Sequence, residues 1–375
     1  MILSAQRDSS KRRSRISLLI IGLLMSACAS LLKMPEDHQQ TFLFGVEQQQ
    51  ADRYALSSNA AWKYIQEGGE EDPRYDRALR LLARNAESLG LNYVSSLWYL
   101  EVARGRRDVA LIPEAISGLK DIIESTIYDE DALVNHFLAV EDFSRMTTSL
   151  DSFIHYYQGL HDLRQGLDEW AKHRFALIHS ESPYTYKARY VSAVRQVAFG
   201  QLKRATQSFK RLLKDLKRVG IGHTPTGEER SRASASTASR HAASARQIHF
   251  SPSDLALLNE VWEETMTSLA RLAMQRGFED IALTFFDRVR EVVPDQPTLL
   301  LEVAWAQYRR GDLRKALGYL LALDAPAYQG LIAPDRYILE ALIYRSLCQF
   351  GPARQATSRL YARYKEYKAP RRFSP

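Results

Sequence analysis

One short pattern recurs four times in this chain and limits what it can fold into. Gly200, Gly277, Gly311 and Gly351 each stand five residues before an alanine, at Ala205, Ala282, Ala316 and Ala356. Gly277 to Gly311 is 34 residues, and Gly311 to Gly351 is 40. A period of this length marks one supersecondary unit that buries its apolar face only by stacking on its neighbours. Each part of the pattern has a physical role. The glycine ends one helix, because it adopts the left-handed cap without steric cost. The alanine sits where two helices cross, and its small side chain lets them approach. Phe209 and Phe286 follow their alanines by four residues, on the same helical face. Pro294 then stops the second helix of its unit.

The rest of residues 50 to 370 reads as helix after helix. Alternating β-branched runs are scarce, and charged residues interrupt apolar ones every three or four positions. On these residues the chain resembles the tetratricopeptide repeat (TPR) family. The clearest unit is about 263 to 296, with Ala270, Ala282, Phe286 and Pro294 at signature positions. The next, 297 to 330, keeps Ala304, Gly311 and Ala316. The third, about 337 to 370, keeps Gly351 and Ala356 but has bulky Tyr344 where a small residue is usual. A further unit at 186 to 219 keeps Ala193, Gly200, Ala205 and Phe209. The signature Trp and Tyr are mostly missing. The resemblance implies an all-α fold of TPR-like helical hairpin repeats, an α-solenoid, degenerate toward the N-terminus. An irregular helical bundle is the alternative. Before residue 186 the register drifts. Tyr75 to Leu82 reads as a second repeat helix, Trp62 to Tyr64 as part of its partner, and Glu67 to Pro73 as a long loop between them. The lengths from Leu97 to Ala139 loosely resemble the TPR-like lipoproteins that accompany TRAP-type periplasmic transporters.

The first 28 residues address location. Lys11, Arg12, Arg13 and Arg15 precede the apolar run Ile16 to Leu24, and small residues follow. That order is a secretory signal. Leu24-Met25-Ser26-Ala27-Cys28 resembles the lipobox of bacterial lipoproteins. The resemblance implies cleavage after Ala27, acylation of Cys28 and, with Ala29 next, sorting to the outer membrane facing the periplasm. An uncleaved anchor over Ile16 to Leu32 is one alternative and a mis-assigned start another; with the lipoprotein or the uncleaved anchor the body is exported. The sequence therefore divides into a signal peptide (1–27), an acylated N-terminus and tether (28–50), a repeat-like helical block (51–219), a disordered Ser/Ala/Arg-rich linker (220–250), a TPR-like block (251–370) and a basic tail (371–375). The linker has too few apolar side chains to offset the entropy of ordering.

Composition narrows the function. The net charge is +7, but Arg7, Lys11, Arg12, Arg13 and Arg15 against Asp8 put +4 of it in the leader. The remainder is near +3, which gives a nucleic-acid partner little support. With Cys28 acylated, Cys348 has no intramolecular partner, so a disulfide framework is excluded. Cys348 reads as a half-buried thiol on an apolar-rich helix. The chain lacks the zinc-protease, nucleophile-elbow, phosphate-loop and paired-cysteine motifs. The densest polar group is His155, Tyr156, Tyr157, His161 and Asp162. A six-residue step from one histidine to the other is poor metal spacing on one helix, so a surface or capping role is expected there. No cofactor or metal is expected, and no enzymatic activity.

Repeat arrays bind through a concave surface. In the TPR family the first helix of each repeat lines it. Position by position, the resemblance implies a groove of Glu264, Thr267, Arg271 and Met274, then Thr298, Leu301, Trp305, Tyr308 and Arg309, then Arg345 and Gln349. Trp305, Tyr308 and Arg309 are of the types enriched at binding hot spots; the same aromatics also suit a core between helices. The Lys/Asn set by which TPR domains clamp a C-terminal carboxylate is absent. The reading is a lipid-anchored scaffold or adaptor for envelope proteins, held at the membrane, with homo-oligomerisation open. The alternatives are a small-ligand-binding accessory of a periplasmic transport system, and an enzyme or a regulator of a cell-wall enzyme, with the absent motifs weighing against catalysis.

Overall fold

A computed structural model describes residues 35–105, 107–125, 147–222, 250–292, 296–328 and 333–365. The signal peptide, Cys28, Pro294, the linker beyond residue 222 and the basic tail lie outside the described residues. Among those described, the secondary structure is helical, with fifteen α-helices and no strand. The chain forms two compact units, 1–185 and 186–375.

The first unit contains α1 (His38–Gln50), α2 (Tyr54–Gly68), α3 (Tyr75–Ser88), α4 (Asn92–Gly105), α5 (Ile112–Ser125), α6 (Thr148–Arg164) and α7 (Asp168–Leu177). Helices α1 to α5 each pack on the next, and α6 packs on α7. The core runs through Ala60, Tyr64, Leu79, Leu82, Trp98, Val102, Ile116 and Leu119. The expected pairing of the Trp62 helix with Tyr75–Leu82 across a loop is present as α2 and α3.

Helix α1 corrects the expectation of a tether up to residue 50. Asp37 caps it by accepting from the Gln40 amide at 2.8 Å. Its buried positions are Thr41, Gly45 and Gln48, while Leu43 is 53% exposed. The usual apolar stripe is therefore inverted, which hides the helix from a periodicity reading. Close approach is the reason. A Cβ on Gly45 would meet Leu81 at 3.3 Å and Ala60 at 3.4 Å. A polar knot fixes the helix end. The Asp72 carboxylate accepts from the Tyr64 hydroxyl at 2.6 Å and the Arg74 amide at 2.8 Å, and lies 3.0 Å from His38 Nε2. The His38 ring stacks on Tyr64 at 4.0 Å.

The second unit is four antiparallel hairpins. They are α8 (Pro183–Ala198) with α9 (Leu202–Arg218), α10 (Pro252–Gln275) with α11 (Glu279–Val292), α12 (Pro297–Arg310) with α13 (Leu313–Ala322), and α14 (Pro334–Ser346) with α15 (Phe350–Tyr364). Proline opens the first helix of every pair, where its missing N–H costs nothing. Gly200, Gly277 and Gly311 take left-handed turns, with φ of 71°, 77° and 93°. Ala193, Ala205, Ala270, Ala282, Ala304, Ala316 and Ala356 have no exposed surface, and neither do Phe209 and Phe286.

Several sequence expectations shift in this unit. Helix α10 begins at Pro252, not near 263, behind a reciprocal capping box between Ser251 and Asp254. The division between units falls at 185/186 rather than in the 220–250 segment. The α8–α9 hairpin packs onto α10 instead, with Phe209, Ala205, Leu269 and Leu272 in one cluster. The fold also extends past residue 220. Ile221 is buried, and its amide donates to the Leu216 carbonyl at 3.0 Å to close α9. In the last hairpin, Gly351 lies in the first turn of α15, not in the inter-helix turn. Cys348 occupies the left-handed position, at φ 58°. Pro297 to Gly311 and Pro334 to Cys348 are the same 14-residue step, so the first helix keeps its length and α15 gains a turn. Being in that turn, Cys348 is exposed rather than half-buried.

This difference predicts opposite effects for one substitution. Gly311→Ala forces a left-handed alanine and lowers stability by about 1 kcal/mol or more. Gly351→Ala, in open space within a helix, raises it by up to about 1 kcal/mol. Urea denaturation followed by helical circular dichroism reads both.

Candidate partner-binding face

The first helices of successive hairpins in the second unit are stitched along one side by polar contacts. Lys187 of α8 lies 3.8 Å from Glu260 of α10. The Tyr190 hydroxyl donates to Glu264 at 3.0 Å and lies 3.3 Å from Ser268 Oγ. Arg271 of α10 donates from Nε to Glu302 of α12 at 3.0 Å, and its Nη2 completes a forked pair. Exposed as it is, such a pair contributes about 0.2–1 kcal/mol, and its geometric role in holding the helices in register matters more.

The expected groove residues separate into three groups. Glu264, Arg271, Thr298, Arg309, Arg345 and Gln349 are exposed; Met274, Leu301, Trp305 and Tyr308 are half-buried; Thr267 is buried. Trp305 and Tyr308 meet edge to face, with ring centroids 6.0 Å apart. Both rings rest on the cluster of Leu300, Ala304, Ala316, Leu320, Leu339 and Ile343. They therefore serve as core on one side and as surface on the other. Arg309 sits beside them and pairs with Glu279 of α11 at 3.2 Å. The structure thus brings Trp305, Tyr308 and Arg309 together at the end of α12. Arg271 lies on the adjoining helix, held by Glu302. Arg345, on α14, has no partner among the described residues. The array offers anchored aromatic edges beside guanidinium groups, an arrangement suited to a protein surface.

A buried charge network in the last hairpin escaped the sequence reading. Arg336 is only 1% exposed. It donates to Asp324 at 2.5 Å and to Glu340 at 3.0 Å, and its guanidinium lies over the Tyr337 ring at 4.9 Å. Arg359 of α15 donates to the same Glu340. Arg336 and Glu340 at i, i+4 look like a solvated pair in the sequence, and nothing local marks them as buried. Breaking such a pair by removing one partner costs about 3–5 kcal/mol. The network holds α13, α14 and α15 together rather than facing a ligand.

The polar group around His155 also resolves structurally. Tyr156 and Tyr157 are not surface residues but buried rings, packed with Phe153, Phe175 and Tyr184. Burial holds the His155 pKa below its ordinary value, outweighing the Asp151 charge, which raises it. Among the described residues, no group of three or more His, Cys, Asp or Glu side chains is placed to hold a metal ion.

No protein-family model matches the chain, and no curated protein does. Among solved structures it is similar to a tetratricopeptide repeat protein from Parabacteroides merdae. That match has a TM-score of 0.34 and 11% identity, and covers 87% of this chain and 92% of the other. It is also similar to the APC/C hetero-tetramer Cut9–Hcn1, with a TM-score of 0.26 and 11% identity, covering 92% of this chain and 89% of the other. Superpositions this loose carry no argument. The TPR-like assignment rests on the left-handed turns, the buried alanines and the paired helices themselves.

Tyr190 provides a test of the stitched face. Burial, against the lowering Ser268 hydrogen bond and together with Glu264, pushes its pKa up to about 12. A raised folded pKa means that the stabilisation is complete below the ordinary value near 10 and is lost as pH rises through the folded value. Wild type should lose more stability than Tyr190→Phe between about pH 10 and about pH 12 in urea unfolding. Equal losses would detach Tyr190 from the face.

Proposed function

We propose that this chain is a lipid-anchored scaffold or adaptor that captures an envelope protein on the first-helix face of its C-terminal repeats. The observation that carries the reading is the cluster at the end of α12. Trp305 and Tyr308 are braced on the core, and Arg309 stands exposed beside them. Bracing removes much of the entropy cost of fixing contact side chains, which is what a hot spot requires. The leader up to Cys28 supports a periplasm-facing lipid anchor, at the outer membrane by the residue that follows. Among the described residues, no helix is long and apolar enough to cross a membrane. Confinement at a membrane raises effective concentration, so individual contacts need not be strong.

A second reading, small-ligand binding, has one observation behind it. A cleft of about 310 Å³ opens between α9, α10 and α11, lined by Leu213, Ile221, Trp262 and Met266 together with Lys217, Arg288 and Glu291. That is the lower limit of the size range for ligand pockets.

Cross-linking in cells, followed by purification from solubilised membranes and mass spectrometry, separates the two. The scaffold reading expects one or two stoichiometric envelope proteins, with recovery reduced about tenfold or more by Trp305→Ala or Arg309→Ala. A clean preparation with no protein partner and a co-purifying small molecule would replace it with the second reading. In the same cells, Cys28→Ser should move the protein from the membrane to the soluble fraction. Retention would point to an uncleaved anchor.

A further inference from the structure

The turns joining the two helices of each hairpin in the second unit share one edge. Arg309 and Arg310, at the end of α12, reach Glu279 and Asp280 at the start of α11, each at 3.2 Å. Leu272, near the end of α10, shares a cluster with Ala193 and Ala205 beside the α8–α9 turn. Ile343, near the end of α14, shares one with Ala316 beside the α12–α13 turn.

Along this edge three phenylalanines face solvent. Phe199, Phe278 and Phe350 are 58%, 50% and 65% exposed. Each lies within two residues of a left-handed turn residue, at Gly200, Gly277 and Cys348. A lone exposed apolar side chain needs no explanation, but three at equivalent turns of one edge do. Cations flank them. Lys203, Arg204, Arg276, Arg314, Arg345 and Arg354 are exposed, and none has a partner among the described residues. The guanidinium of Arg195 lies over the Phe199 ring at 4.6 Å. The edge's carboxylates are already taken, Glu279 by Arg309, Asp280 by Arg310, and Asp312 by Lys315 and Arg310. What remains is unneutralised positive charge interleaved with exposed rings. The basic side of α9, at Lys210, Arg211 and Lys214, carries charge without an exposed aromatic.

We propose that this turn edge rests on an anionic bilayer surface, with the three phenyl rings entering the headgroup boundary and the free cations lying on lipid phosphates. Rings and long cationic stems favour that interface because each has an apolar part to bury and, for the cations, a charged end to leave at the phosphate level. A protein or polyanion partner would satisfy the cations but not require a bilayer for the rings. The inference does not depend on acylation of Cys28 or on the partner face.

Cys348 reports on the edge directly. In Cys28→Ser it is the only thiol in the chain, and it is exposed in the α14–α15 turn. A polarity-sensitive fluorophore attached there should shift to the blue on phosphatidylglycerol-rich vesicles and not on phosphatidylcholine vesicles. Raised salt should reverse the shift, because screening shortens the reach of the surface potential. Each of Lys203→Ala, Arg204→Ala, Arg276→Ala and Arg354→Ala should weaken the response about fivefold. All four positions are exposed, which leaves the helical core intact. Phe278→Ser with Phe350→Ser should abolish the shift while circular dichroism stays unchanged. The apolar leader alone can hold the chain on vesicles, so the readout is the label's environment and not co-sedimentation. Water-like emission from vesicle-bound protein would overturn the proposal, as would an equal shift with poly-glutamate and no lipid. Such a failure leaves the scaffold reading standing, and loss of the protein partner leaves this one standing.

Discussion

The second unit depends on how closely its helices cross at alanine. Ala193, Ala205, Ala270, Ala282, Ala304 and Ala316 have no exposed surface, and Ala193, Ala205, Ala304 and Ala316 sit in clusters shared between helices. A larger side chain at these points would force the helices apart, at about 1–3 kcal/mol for overpacking. Close crossing lets Phe209 and Phe286 fill the space beyond and be fully buried. It also fixes which residues of α12 are left to face outward, so Trp305 and Tyr308 have one side in the core and one on the surface. The candidate face is thus a product of the packing rather than an addition to it.

Where the alanine and glycine pattern weakens, charge takes over. The last hairpin has Cys348 in its left-handed turn and a lengthened α15, and there Arg336 ties Asp324 and Glu340 within the core while Arg359 closes on Glu340. The first unit has a comparable device. Asp76, also 1% exposed, accepts from Arg107 Nε at 2.9 Å and from the Asp108 amide at 2.8 Å, with the Arg107 guanidinium over Tyr75. Buried charges of this kind are weak sources of stability but strong specifiers of one arrangement, because any slip leaves a charge unpaired.

Residues that act locally were legible in the sequence. A glycine at a helix end and an alanine at a crossing announce themselves by spacing, and the hairpins of α8 to α13 follow from them. Residues that act through tertiary context were not. Helix α1 buries Thr41, Gly45 and Gln48, so periodicity shows no stripe. Gly351 matched the motif, yet its helix had already begun. Arg336 looks like any i, i+4 partner until α15 covers it. Phe199, Phe278 and Phe350 become a surface only once the turns align. At the candidate face the helical spacing that sets Trp305, Tyr308 and Arg309 side by side on α12 was legible. The Glu302 and Glu279 partners that restrain Arg271 and Arg309 were not, because both lie about 30 residues away in sequence.

The alanine crossings organise the array, and a single comparison tests them. Ala304 is fully buried against Ala316, Leu339 and Ile343, whereas Ala322, on the neighbouring α13, is exposed. In urea denaturation, Ala304→Leu should lose about 1–3 kcal/mol of stability. Ala322→Leu should stay within about 0.5 kcal/mol of wild type. Equal stability of the two variants would contradict the claim that close helix crossing organises the array and, with it, the face built on α12.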